Sequence, residues 1–128
     1  MPNLWPSLSA TTARTMDVML YDAAGNLAGI TKNKLDFYVD AVGVAEPPAG
    51  PVTKIRYNCY IRVMKSGNVH LFFQVTTPSA SPFEADVGTP EGERFNSIKD
   101  ENELLNVIDQ IMQRPRTKEV INYLLRLA

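Results

Sequence analysis

Apolar and polar residues alternate through the middle of the chain, in the stretch KIRYNCYIRVMKSGNVHLFFQV between Lys54 and Val75. This period of two is typical of β-strands with one buried face. The apolar residues occupy odd positions, and the segment KSG divides the stretch into two strands. The pattern therefore predicts an antiparallel hairpin whose odd-numbered side chains pack on a core.

The hairpin loop follows from this parity. Directly opposed residues share a face, so odd-odd pairs require an odd number of loop residues. A three-residue loop of Lys65, Ser66 and Gly67 satisfies this, with the glycine in a left-handed conformation. The predicted register places Arg62 opposite His70, Tyr60 opposite Phe72, and Asn58 opposite Gln74.

Strands are also predicted before the hairpin. The run TMDVMLYD, the turn residues AAGN and the run LAGITKNK indicate an N-terminal β-hairpin, and KLDFYVDAV indicates a third strand. Three prolines make EPPAGP (46–51) a loop, because proline lacks the amide donor of a strand ladder. Residues 1–14 show no periodicity and are interpreted as an arm in which Leu4, Trp5 and Leu8 can dock on another surface.

Helices are predicted at the end of the chain. DENELLNVIDQIMQ has apolar residues at helical spacing, with Asp100 as N-cap, and TKEVINYLLRLA forms a second helix after a break at Pro115. Between them and the hairpin, residues 79–98 are rich in turn formers, and FEADV or RFNSI is a candidate short edge strand. The sequence thus predicts an α+β fold, an antiparallel sheet with two C-terminal helices on one face. We expect one domain over residues 1–128, divided into the arm (1–14), the sheet (15–98) and the helices (99–128).

Composition narrows the functional classes. A net charge of −1 in 128 residues argues neither for nor against nucleic acid. No apolar run reaches the length of a membrane span and no leader pattern begins the chain, so we expect an intracellular protein without membrane contact. With one histidine, one cysteine and scattered carboxylates, the sequence favours no catalytic set, metal site or cofactor site. Cys59 is interpreted as a small buried residue, and the protein as a non-enzyme.

The even-numbered face of the central strands carries the candidate chemistry. Arginines neutralise phosphates, amides hydrogen-bond to base edges, and aromatic rings stack on unpaired bases. Aspartates 36 and 40 share this parity and would repel phosphate if their strand lies beside the hairpin. The alternative interpretation is that the aromatic residues form a packing surface or an interface with another subunit. The candidate RNA-binding residues are Arg56, Asn58, Tyr60, Arg62, Phe72, Gln74 and Thr76.

A dimer is expected on physical grounds. Two helices of about a dozen residues are marginal in isolation, and one small sheet provides little core. An interlocked homodimer, in which each chain's helices cover the partner's sheet, would bury more apolar surface and join exposed sheet edges.

This combination resembles the coat proteins of the single-stranded RNA bacteriophages. The resemblance rests on the N-terminal hairpin around MDVMLYDAAGN, the central strands KIRYNCYIRV and VHLFFQVTTP, and the helix pair broken at proline in QIMQRPRTKEV. It implies an interlocked homodimer that assembles into an icosahedral capsid in the host cytoplasm. It also implies that the sheet binds genomic RNA, including a hairpin, through Asn58, Tyr60, Arg62, Phe72 and Gln74.

Two further interpretations stay open at this stage. The same sheet suits a non-viral, dimeric nucleic-acid-binding module that does not assemble, and it suits a protein-interaction domain whose even-numbered face contacts a partner. The resemblance covers most of the chain as an order of elements. The segment 79–98 is shorter and less apolar than the corresponding loop and last strand of the family.

Overall fold

The computed structural model describes residues 15–45, 50–78 and 84–128. Four helices and five strands form an α+β fold, with an antiparallel sheet and two C-terminal helices as predicted. The predicted arm at 1–14 and most of the EPPAGP loop lie outside the described residues. In chain order the elements are α1 (Met16–Ala24), α2 (Leu27–Ile30), β1 (Leu35–Ala45), β2 (Val52–Val63), β3 (Val69–Pro78), β4 (Ala85–Gly88), β5 (Arg94–Ile98), α3 (Glu101–Gln113) and α4 (Pro115–Leu127).

The predicted N-terminal hairpin is wrong, because α1 and α2 occupy its place. In α1 the buried residues Met16, Met19, Leu20 and Ala24 recur at helical spacing. Tyr21 extends from α1 to β1, where its ring lies 5.7 Å from that of Phe37 and its hydroxyl accepts a 3.0 Å hydrogen bond from the Val39 amide. The segment 15–98, expected to be sheet alone, therefore begins with a helical layer over the core.

The five strands pair in chain order, β1-β2-β3-β4-β5, and every pairing is antiparallel. This meander places β1 beside β2, with Leu35 opposite Val63 and Ala41 opposite Tyr57. Both candidate edge segments form strands: β4 contains the ADV of FEADV, and β5 is RFNSI. The sheet is consequently wider at its C-terminal side than the sequence predicted.

The β2–β3 turn differs from prediction by one residue. Gly67 has the expected left-handed backbone (φ 76°), but its amide donates to the Val63 carbonyl and the Val63 amide donates to the Asn68 carbonyl, each at 2.8 Å. Four residues, 64–67, thus form the loop. An even loop pairs even with odd, so Arg62 lies opposite Val69 and Tyr60 opposite Leu71.

A β-bulge then restores the predicted parity further along the hairpin. The register shifts between Cys59 and Tyr60, whose partners are Phe73 and Leu71, so Phe72 has no partner on β2. Beyond the bulge Asn58 lies opposite Gln74, as predicted. The predicted pairings of Arg62 with His70 and of Tyr60 with Phe72 are wrong, because the four-residue turn reverses the parity between the bulge and the loop.

One hydrophobic core lies between the sheet and the helices. The odd-numbered residues of β2 from Cys59 to Val63 are buried there with Phe73 and Val75 of β3. Helix α3 contributes Leu104, Ile108 and Ile111, and α4 contributes Leu124. The odd face of the sheet therefore meets the helices, and Cys59 is buried as predicted.

The start of each C-terminal helix follows local sequence. The Asp100 carboxylate accepts a 2.8 Å hydrogen bond from the Glu103 amide and so caps α3 as predicted. Pro115 is the first residue of α4, a position where the missing amide hydrogen is not needed. The Thr117 hydroxyl donates to the Ile111 carbonyl at 2.5 Å and ties the end of α3 to the start of α4.

Candidate nucleic-acid interface

The side of the sheet opposite the helices is called here the open face. Its side chains come from even-numbered residues of β1, β2 and β4, from β3 on both sides of the bulge, and from Arg94 of β5. Most are partly or fully exposed, whereas the odd-numbered side chains are largely in the core. The open face consists of Asp36, Tyr38, Asp40, Val42, Arg56, Asn58, Tyr60, Arg62, Val69, Leu71, Gln74, Thr76, Asp86, Gly88 and Arg94.

A polar pocket lies on the half of the open face away from the hairpin turn. It has a volume of about 190 Å³ and is lined by Arg56, Gln74, Thr76, Asp86, Gly88 and Arg94. Gly88 forms its floor between Gln74 and Arg94, since it pairs with both in the sheet and has no side chain. Four strands thus contribute to one concave site, which we call the Gly88 pocket.

Hydrogen-bonding groups border this pocket. The Gln74 Nε2 atom donates to the Asn58 Oδ1 atom at 2.7 Å, which fixes both amides side by side. Each amide group keeps further donor or acceptor capacity after this bond is made. The Asp86 carboxylate accepts a 2.9 Å bond from the Ser97 amide, and Ser97 has a left-handed backbone (φ 59°).

Arg56 and Arg94 supply the positive charge of the Gly88 pocket. Both are exposed, and neither forms an ion pair with another residue of the described chain. A second depression of about 370 Å³ continues from the pocket, shares Thr76 and Asp86 with it, and is flanked by Lys54 and Lys99. The open face therefore has a continuous polar path along its β3–β5 side.

Arg62 differs from these arginines because it is neutralised within the sheet. Its Nη2 atom lies 2.8 Å from the Asp36 carboxylate, and its guanidinium carbon lies 5.5 Å from the centre of the Tyr38 ring. Its Nε atom is buried and has no hydrogen-bond partner among the described residues. The sequence left open whether Asp36 and Asp40 neighbour the hairpin; they do, opposite Arg62 and Asn58 respectively.

The aromatic pair on the open face is Tyr38 and Tyr60, with ring centres 6.0 Å apart. The predicted position of Phe72 on this face is wrong: its side chain is 8% exposed, packs against Phe73 with ring centres 5.2 Å apart, and lines a groove on the helix side. The bulge is the cause, because Val69 and Leu71 take the positions expected of His70 and Phe72. The turn end of the face is consequently apolar.

The structure places six of the seven candidate residues on the open face, all except Phe72. Sequence reasoning missed Tyr38, Gly88 and Arg94. Tyr38 has the same parity as Asp36 and could have been found once β1 was placed beside β2. Arg94 and Gly88 depend on the pairing of β4 with β3 and β5, for which the short, weakly alternating strands give little signal.

Within the described ranges, no group of three or more His, Cys, Asp and Glu residues is placed to hold a metal ion. None of the helices found in those ranges is long and apolar enough to cross a membrane. Comparisons with protein-family models, with curated proteins and with solved structures find no match to this chain.

Proposed function

We propose that this chain is the coat protein of a single-stranded RNA bacteriophage, a homodimer that assembles into an icosahedral capsid and binds genomic RNA on the open face. One observation supports the RNA site above all others. Arg56 and Arg94, both without ion pairs among the described residues, flank a pocket on the helix-free side of an antiparallel sheet, and the Gln74 amide, the Thr76 hydroxyl and the Asp86 carboxylate also line it.

The residues of the open face have separate roles in this proposal. Arg56 and Arg94 neutralise two backbone phosphates, which gives affinity without sequence preference. Asn58, Gln74 and Thr76 hydrogen-bond to the edge of an unpaired base that enters the Gly88 pocket. Tyr38 and Tyr60 provide a surface for stacking the next base, since their rings lie side by side on the exposed side of the sheet.

The capsid part of the proposal is supported by the order of the elements. Two of the three features behind the family resemblance are present, namely the central strand pair β2–β3 and the terminal pair α3–α4 broken at Pro115. The third, an N-terminal hairpin, is replaced by α1 and α2. Residues 79–98, shorter than in the family, still contain the short strands β4 and β5.

The dimer is supported by the surface of α4. Helix α3 buries Leu104, Ile108 and Ile111 within its own chain, so it needs no partner. Helix α4 buries Thr117 and Leu124 and packs other apolar side chains partly against the core, but it leaves Tyr123 and Leu127, one turn apart, exposed. An exposed apolar stripe on a terminal helix is typical of a subunit interface, and the proposed interlocking therefore involves α4 more than α3.

Expression of the full chain in bacteria tests the proposal directly. We expect closed particles in electron micrographs, an absorbance ratio that indicates nucleic acid, and RNA that resists added nuclease. If the protein forms no particles but is a soluble dimer that retards a single-stranded RNA probe in a gel, the result would favour a non-viral nucleic-acid-binding module over a coat protein. A dimer that leaves the probe unshifted would contradict RNA binding.

A protein-interaction domain is the second candidate, and the apolar turn end of the open face favours it. Val69 is 53% exposed there, beside Leu71 and the tyrosine pair, and Arg62 presents no free charge. A Val69→Asp variant separates the candidates: it should leave RNA retention nearly unchanged if RNA binds at the Gly88 pocket, and it should abolish a protein contact made at the turn end.

A further inference from the structure

An apolar groove lies on the helix side of the molecule, far from the chemistry of the open face. Its volume is about 270 Å³, and it runs between the α1–α2 region and helix α4, with side chains of the sheet as its floor. Its apolar lining includes Leu27, Ile30, Phe37, Phe72, Ile121 and Leu125. Phe72, which the bulge turns away from the open face, therefore lies in the floor of this groove.

Two of the three polar side chains that line the groove in the described parts of the chain, Thr31 and Thr117, already have partners within the fold. The Thr31 hydroxyl donates to the Leu27 carbonyl at 2.8 Å and accepts from the Leu35 amide at 3.0 Å, and the Thr117 hydroxyl donates to the Ile111 carbonyl. No charged side chain is among the described lining residues. Ile30, at the rim, is 71% exposed. These features suit an uncharged, apolar occupant that requires few hydrogen bonds.

We infer that this groove binds the N-terminal segment of the same chain, residues 1–14, with the Trp5 side chain as the anchor. The segment lies outside the described residues, and its sequence MPNLWPSLSATTAR contains Leu4, Trp5 and Leu8 but only one charged side chain, Arg14 at its end. An apolar, nearly uncharged peptide thus precedes an apolar, uncharged groove in the same molecule.

The position of the segment makes the contact possible. It joins the structure at Thr15, the N-cap of α1, and the last turn of α1 borders the groove through Ala24. The ten residues from Trp5 to Thr15 span at most roughly 33–36 Å when extended. Helix α1 has nine residues and so covers about 13 Å. Trp5 can therefore reach back along α1 to Leu27 and Ile30 without strain.

The sequence also lowers the entropy lost on docking. Pro2 and Pro6 have a fixed φ angle, and Trp5, which precedes a proline, is steered to extended conformations. A chain with fewer accessible conformations loses less freedom when it binds. At the rim of the groove, the side-chain oxygen of the exposed Asn26 can accept a hydrogen bond from the indole N–H, which normally finds a partner when the ring is buried.

Fluorescence of the full chain tests the inference, because Trp5 is the only tryptophan in the sequence. In the native protein we expect Trp5 to emit at short wavelength and to resist acrylamide quenching several-fold better than after unfolding. Ile30→Glu and Ile30→Lys should both shift emission to longer wavelength and restore quenching. Val18→Glu, at an exposed α1 position that does not line the groove, is the matched control and should leave the emission unchanged.

A mixing experiment distinguishes docking in the same chain from exchange between two chains. Ile30→Glu protein, with Trp5 and a blocked groove, is refolded together with Trp5→Ser protein, which has an open groove and no tryptophan. Same-chain docking leaves the Trp5 emission exposed in the mixture. Recovery of the short-wavelength emission would overturn it in favour of exchange between subunits, and a solvent-exposed Trp5 in the native protein would overturn the groove as the site. Neither measurement involves RNA, so both outcomes are independent of the proposed function.

Discussion

At the scale of single residues, Asp36 decides which arginines of the open face are available to a ligand. Its carboxylate lies 2.8 Å from the Arg62 Nη2 atom, and the Tyr38 ring lies beneath the same guanidinium. A phosphate that approached Arg62 would have to compete with this carboxylate. Arg56 and Arg94 form no ion pair among the described residues, although the Asp86 carboxylate lines the same pocket, so the proposed RNA site depends on these two arginines for its phosphate contacts.

The dependence of RNA affinity on salt measures this difference. For single strands the logarithmic slope changes by about 0.7 for each phosphate contact. We expect Arg56→Ala and Arg94→Ala each to reduce the slope by about that amount, as measured by fluorescence anisotropy of a labelled RNA over a range of salt concentrations. The control is the double variant Asp36→Asn, Arg62→Gln, which removes an ion pair without a change in net charge. Its salt slope should equal that of the unmodified protein. A reduced slope would show that Arg62 contacts RNA phosphate.

Cys59 allows a second residue-scale prediction. Burial raises the pKa of its thiol far above the ordinary value of about 8.5. Below that value both the folded and unfolded states keep the proton, so the thiol does not affect stability. Above it the unfolded chain loses the proton while the folded chain keeps it, and the free energy of unfolding falls with rising pH by up to about 1.4 kcal/mol per unit.

Urea unfolding between roughly pH 8.5 and 9.5 isolates this effect, because tyrosines ionise near 10 and burial also raises the pKa of Tyr57. The Cys59→Ala variant should be less stable at neutral pH because it leaves a cavity. Its stability should nevertheless decline less steeply over this interval. Parallel curves for the two proteins would show that the thiol is not protected as its burial requires.

At the scale of elements, the sequence predicted the strands and helices whose periodicity is unambiguous. The runs that became β1, β2, β3, α3 and α4 each match a single period, and the structure has all five. The run TMDVMLYD matches two. Met16, Val18 and Leu20 alternate as in a strand, whereas Met16, Met19 and Leu20 lie on one helical face. The segment forms a helix because that face packs on the core over the sheet.

The bulge in β3 could not be predicted for a related physical reason. Phe72 and Phe73 are adjacent and equally apolar, so strict alternation assigns one of them to each face. The four-residue turn and the bulge compensate each other, which leaves the far end of the hairpin in its expected register. Parity therefore placed six of the seven candidate residues on the correct face, and it failed only for the part of β3 between the bulge and the turn.

The N-cap of α3 provides an element-scale test of stability. Asp100 accepts from the Glu103 amide, and the Glu103 carboxylate in turn accepts a 2.9 Å bond from the Lys99 amide. Loss of such a cap costs typically about 1 kcal/mol. Asp100→Ala should therefore lower the free energy of unfolding by about that amount, whereas Asn102→Ala, in the exposed first turn, should change it little. Equal urea midpoints for the two variants would contradict the capping role.

At the scale of the whole molecule, the two faces of the sheet differ in chemistry. The helix side holds the core and the apolar groove, and the open face holds Arg56, Arg94 and the amides. The net charge of −1 does not reveal this division, and the open face itself carries three aspartates beside its three arginines. Composition alone therefore could not locate the arginines and amides of the open face, whereas the parity of a few strand residues could.

The proposed RNA-containing particles provide a test of this separation. If encapsidated RNA is held at the Gly88 pocket, the double variant Arg56→Ala, Arg94→Ala should still fold and dimerise, because both side chains are exposed and outside the core. It should protect several-fold less RNA from nuclease per particle, measured on fractions purified by sedimentation. The control Lys34→Ala, Lys65→Ala removes the same charge from exposed positions outside both α4 and the Gly88 pocket. Because loss of net charge alone would affect both double variants equally, equal RNA content in the two would place the RNA elsewhere on the shell.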